Sequence, residues 1–210
     1  MTAIYQTVIL EACVETLEDS LLAEQRGANR IELCSALDQD GLTPSRELTM
    51  QCVQQCSVPV MAMVRLRGGD FVYSELEIQQ MESEIAFFKQ AGVAGVVFGL
   101  LTKEGTIDIE NTLRLARLAS PMEVTFHKAI DYTIDVYQAF RELNAIEGIT
   151  RVLTSGGKDT AWNGREIIKQ MQELPGRNIR IIAAGKVIPE NRIQVAEYTG
   201  VAELHGKWIV

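Results

Sequence analysis

The 210-residue sequence predicts a TIM (β/α)8-type barrel lacking the final helix, built as one domain over residues 1–210. Three observations point to it. Eight short apolar runs recur along the chain, and helix-like stretches follow seven of them. Most of the runs are nearly continuous, as in parallel strands buried on both faces. No Gly-x-Gly-x-x-Gly turn follows the first run, which together with the count of eight disfavours a doubly wound open sheet.

The first expected strand covers residues 8–14. The stretch 17–26 follows with helical character and stops at Gly27, a residue suited to a helix end. Residues 30–35 form the second strand and 60–66 the third. The clearest helix spans 74–91, with Leu76, Met81, Ile85 and Phe88 at core spacing and Gly92 just beyond. The remaining strands are expected at 95–100, 123–127, 151–155, 180–184 and 201–205. Pro44, Pro121 and Pro189 fall at element boundaries, where proline is tolerated. Only five residues follow His205, too few for an eighth helix. The apolar end Trp208-Ile209-Val210, residues 1–7, or a second subunit must then cover the barrel there. A homodimer is expected, because bare barrel surface would form a large apolar patch.

Composition narrows the classes of function. Hydrophobic residues make up 47% and charged residues 23%, as in an ordinary globular domain, and the net charge is -8. That charge argues against nucleic acid and anionic membrane as partners. No apolar run approaches the roughly 20 residues of a membrane span, and no export signal is recognised, so a cytoplasmic location is expected. The four cysteines are then reduced. Cys52 and Cys56 lie four apart on one expected helical face and read as core or surface thiols, with metal binding a minor alternative.

The chemistry-bearing motif occurs three times: Glu11-Ala12-Cys13, Glu32-Leu33-Cys34 and Glu203-Leu204-His205. In a strand, residues two apart share a face. Closing the barrel sets the eighth strand beside the first, so the three motifs form one wall near the carboxyl ends of the strands, where barrel active sites form. Met61, Met63, Arg65 and Arg67 alternate along the third strand, and Thr125 and His127 along the fifth. An arginine–glutamate network using Arg65 and Arg67 is expected across the interior.

Two chemistries compete for this wall. Copper(I) prefers thiolate, thioether and imidazole ligands, and Cys13, Cys34, His127 and His205 supply such groups; the plainer account makes the cysteines small hydrophobes and the methionines core filler. The alternative is an enzyme acting on a small anionic or phosphorylated metabolite. Arg65 or Arg67 would hold the anion, Glu11, Glu32 or Glu203 would act as general base, and His127 would move a proton or polarise a carbonyl. Ser155, Gly156, Gly157, Gly185 and Lys186, after the sixth and seventh strands, form a candidate anion-binding turn. The plainer account is that the charges satisfy one another and the glycines serve ordinary turns. Lys128, one residue after His127, is expected on the opposite face.

These stretches, with Gly27-Ala28-Asn29-Arg30-Ile31-Glu32-Leu33-Cys34, Gly41-Leu42-Thr43-Pro44-Ser45, Arg65-Leu66-Arg67-Gly68-Gly69-Asp70-Phe71, Phe126-His127-Lys128-Ala129-Ile130-Asp131 and Leu153-Thr154-Ser155-Gly156-Gly157, resemble the CutC family, named copper homeostasis proteins. The resemblance covers nearly the whole chain. It implies a TIM barrel, a cytoplasmic location and a role in copper handling. This sequence departs from the family pattern at Ala183-Ala184-Gly185-Lys186, at Asp40-Gly41 and at Gly206.

Overall fold

The computed structural model describes residues 8–210. Eight parallel strands close into a barrel in chain order, as expected for a TIM barrel. They are β1 (Ile9–Val14), β2 (Arg30–Leu33), β3 (Val60–Met63), β4 (Gly95–Phe98), β5 (Glu123–Phe126), β6 (Arg151–Thr154), β7 (Arg180–Ala183) and β8 (Glu203–Gly206). Seven helices alternate with them: α1 (Leu17–Gln25), α2 (Arg46–Gln55), α3 (Glu75–Ala91), α4 (Ile109–Ala119), α5 (Val136–Asn144), α6 (Arg165–Gln172) and α7 (Arg192–Thr199). No helix among the described residues is long and apolar enough to cross a membrane.

The helices start and stop where local chemistry tells them to. At α3, Ser74 and Glu77 form a reciprocal capping box, and Gly92 ends the helix in the left-handed region at φ 83°. The face that α3 buries is Ile78, Met81, Ile85 and Phe88. Leu76, which the sequence reading placed on it, is 72% exposed. Ile78 sits one turn before Met81, whereas Leu76 lies five residues before it, on another face.

The main core lies between the strands' outer faces and the helices, around Ile31, Phe88, Phe98, Leu115, Phe126 and Phe140. The interior of the barrel is different. There Cys13, Cys34, Met61, Met63 and Val97 make a small second cluster. Gly95 faces this interior: a Cβ there would stand 2.6 Å from the Glu123 carbonyl and collide with Met61, so the methionine uses the room a side chain would need.

The segment after β8 does part of the covering expected of it. Ile209 is fully buried and its carbonyl accepts a hydrogen bond from Arg192 at 2.7 Å, while Trp208 is 65% exposed. Residues 1–7, the other candidate cover, lie outside the described residues.

Candidate functional site

Parallel pairing aligns Glu11 with Arg30 on one side and with His205 on the other, and Cys13 with Glu32. These inward positions divide into two layers with different work.

The lower layer is an ion network. Arg30 donates through Nε to Glu11 and through Nη2 to Glu203 at 2.5 Å. Arg151 donates to Glu203 at 2.9 Å and embraces Glu123 with both terminal nitrogens, at 2.5 and 3.1 Å. Arg180 adds a 3.4 Å contact to Glu203 from the wet end. Arg30, Arg151, Glu11 and Glu203 are all buried. Two planar forks between carboxylates satisfy both, which is what makes buried charge tolerable. The network expected across the barrel therefore exists with other arginines. Arg30 and Arg151, the first residues of their strands, replace Arg65 and Arg67 in it.

The reason is that β3 ends at Met63, so the strand alternation does not extend to Arg65 and Arg67. Arg67 lies in the loop before α3, 38% exposed at its side chain. It ties Glu77, Asp70 and the Val72 carbonyl together and takes no part in the interior. Arg65 stays buried but points at backbone: Nη1 donates to the Gln39 and Gly41 carbonyls at 2.8 and 3.2 Å.

The upper layer is the chemical cluster. The sulfurs of Cys13 and Cys34 stand 3.8 Å apart, and the Cys34 thiol lies 3.6 Å from Glu32. One ligand atom each from Cys13, Glu32 and His205 falls within a 4.8 Å span. His205 bridges two acids, with Nδ1 2.8 Å from Glu11 and Nε2 3.6 Å from Glu32. Glu11 thus joins the two layers.

Electrostatics follow from this packing. Burial alone would raise Glu11, but the Arg30 charge and the His205 bond hold it down to about 2, so it is ionised. Burial alone would lower His205, but Glu32, Cys13 and Glu11 raise it well above its ordinary value, so it carries a proton on each ring nitrogen at neutral pH. Burial raises Glu32. The bond to Cys34, then burial, pushes the Cys13 thiol well up. At Cys34 the contact from Cys13 pulls downward, but burial and the neighbouring Glu32 outweigh it and bring the thiol to about 11. The resting cluster is therefore two thiols and an imidazolium.

His127 stands apart from that cluster. It accepts the Ala129 N–H through Nδ1 at 3.2 Å, and its Nε2 has no partner. Burial and the nearby Arg65 charge lower it to about 3, so it is neutral. An unfolded histidine takes its proton near pH 6.5. Stability present above that pH is then lost as pH falls from about 6.5 to about 3, at about 1.4 kcal/mol per pKa unit. A His127→Asn variant, which keeps an acceptor for Ala129, should lose much less stability between pH 6 and pH 4 in urea titrations. An unchanged pH slope would remove His127 from the account.

The turn expected to bind anions already holds one. Asp131 accepts the N–H groups of Ser155 and Gly157 at 2.9 and 2.8 Å, the Thr154 hydroxyl at 2.5 Å and the Lys128 ammonium at 2.8 Å. Gly156 and Gly157, both at positive φ, shape this backbone nest. Lys128 faces the same cavity as His127, contrary to the strand alternation, because β5 ends at Phe126 and the chain coils into a 3-10 turn at Lys128–Tyr132. Gly185 and exposed Lys186 lie on the cavity's far rim. Cys52 is buried against the Ser20 hydroxyl at 3.5 Å, as a core thiol.

Fold and site together define a TIM-barrel protein whose mouth carries a thiol–imidazole–carboxylate cluster above a buried ion network. Two sulfurs and an imidazole form a soft donor set that suits copper(I) or zinc. The chain belongs to the CutC family, whose model matches residues 8–210. It is 40% identical over 197 residues to the mouse "Copper homeostasis protein cutC homolog", covering 94% of this chain and 72% of that protein. A CutC family protein of Histophilus somni is 38% identical over 93% of this chain and 80% of its own. The solved structure of a CutC protein from Streptococcus agalactiae superimposes with a TM-score of 0.90 at 30% identity, covering 97% of this chain and all of that one.

Proposed function

We propose that this chain serves copper homeostasis by holding copper(I) as cargo at Cys13, Cys34 and His205. The observation that carries the reading is the 3.8 Å approach of the two sulfurs beside His205 and Glu32. The names of the mouse and human relatives support the same role. A cytoplasmic location is part of the proposal, because a thiol-based copper(I) site works only where its cysteines stay reduced.

Binding must expel protons, because both thiols and the imidazolium are protonated at rest. A copper(I) competition titration in anaerobic buffer should find one tight site per chain. Its affinity should climb between pH 6 and pH 8, with protons released into weak buffer. Weak binding that is indifferent to pH would sink the copper reading.

A homodimer is part of the proposal. Leu22, Ile193 and Trp208 are exposed apolar side chains on α1, α7 and the C-terminal segment. Light scattering should give twice the mass of the 23.3 kDa chain. A monomer at micromolar concentration would remove the second subunit.

A further inference from the structure

We infer that the barrel mouth also binds a small organic anion, a carboxylate or phosphate ester, with its charged group on Arg65. The inference stands independently of copper.

Arg65 is a buried cation without a counter-ion. It is 4% exposed, and no carboxylate among the described residues lies within ion-pairing distance of it. Its hydrogen bonds go to main-chain oxygens, Gln39 and Gly41 through Nη1 and Gly69 through Nη2 at 3.4 Å, and the uncharged Tyr73 hydroxyl lies beside it. Its Nε donor has no partner at all. The other two buried arginines, Arg30 and Arg151, each sit between two carboxylates. Burying a charge is costly unless it is paired, so a guanidinium set in carbonyls and left with a free edge is built for an absent partner. The edge with the unpartnered Nε, where Nη2 makes just the long contact to Gly69, is the one that grips a planar or tetrahedral oxyanion with two parallel bonds.

The surroundings point the same way. Arg65 and His127 line one cavity of about 280 Å³ at the carboxyl ends of the strands. That is near the lower limit of ligand pockets, the size for a small metabolite. Two other buried polar atoms in its wall are unpartnered, His127 Nε2 and Glu32 Oε1. Although the chain carries a net charge of -8, Arg65, Lys186 and Lys207 line this cavity against Glu32 and Asp40, with Lys128 there paired to Asp131. The Phe71 ring lies 5.0 Å from the Arg65 guanidinium and 5.1 Å from the His127 ring, so the three side chains pack together in the cavity wall. His127 Nε2 and Glu32 meet the polar end of the ligand.

The test uses inorganic phosphate and malonate as probes, with sodium chloride at matched ionic strength as control. It reads the arginine Nε–Hε resonances of the reduced, metal-free full chain, assigned by the signal missing in Arg65→Lys. One or both probes should shift the Arg65 signal saturably, with a dissociation constant of about 1 mM or tighter, and leave Arg30 and Arg151 unmoved. Which probe binds separates a phosphate from a carboxylate ligand. Lys186→Ala, at an exposed rim position, should weaken binding several-fold without affecting folding. The copper(I) titration of the wild type is run separately from the probe titration, so failure of copper binding and failure of anion binding are read apart. No saturable shift at Arg65 with either probe, or a shift that chloride reproduces, would overturn the inference.

Discussion

An Arg30→Met variant is expected to lose about 3–5 kcal/mol of folding stability, the cost of leaving buried charge uncompensated. Among the described residues, Arg30 is the only partner that bonds both Glu11 and Glu203, and all three are buried. Removing it strips Glu11 of the charge that holds its carboxyl down to about 2. Glu203 keeps Arg151 and Arg180, but among the described residues Glu11 retains only His205. Methionine fills much the same volume, so the loss reads charge and hydrogen bonding rather than a cavity. Urea unfolding followed by circular dichroism measures it, with Arg46→Ala as the comparison. Arg46 pairs with Glu84 at the surface, with 52% of its side chain exposed, and such pairs contribute at most about 1 kcal/mol. Equal losses in the two variants would show that the interior network has no special weight. The variant has a second expected effect. Glu11 orients His205 through the 2.8 Å contact, so copper affinity should fall as well, although Arg30 touches no ligand.

The Cys13→Ser/Cys34→Ser double variant is expected to bind copper(I) at least about a hundredfold more weakly than the wild type. Even outer-shell partners of metal ligands cost 10–100-fold when removed, and this change deletes two donor atoms. Serine offers a hard oxygen where copper(I) prefers soft sulfur. The single variants separate the contributions. With the sulfurs 3.8 Å apart, either thiolate alone can act with His205, so each single loss should be smaller than the double. Thermal midpoints recorded beside the titrations keep affinity apart from folding. Undiminished affinity in a folded double variant would move the copper site away from the barrel mouth.

The barrel was legible because eight short strand-like runs, most of them nearly continuous and apolar on the face that packs on the helices, alternate with helix-like stretches in chain order. Glu11, Glu32, Cys13, Cys34 and His205 were legible together for a simple reason. Alternation fixes the face within a strand, and closure makes β8 the neighbour of β1. What failed was extension past strand ends. The alternation was carried from Met63 to Arg67 and from His127 to Lys128, but both strands had already stopped. Arg30 and Arg151 were overlooked although the same rule reveals Arg30, two residues before Glu32. The occupation of the Ser155–Gly157 turn by Asp131 joins two loops 24 residues apart, and no local pattern in the sequence encodes it.

Asp131 also changes what this barrel can select. A carboxylate fixed within the chain faces the Ser155 and Gly157 amides at an effective concentration on the order of millimolar or more. Any phosphate arriving above β6 has to outcompete it, and must also detach Lys128 from its partner. The loop where barrels of this type often welcome phosphate therefore acts here as a built-in competitor. Discrimination among anions passes to the arginine across the cavity, where no internal rival stands.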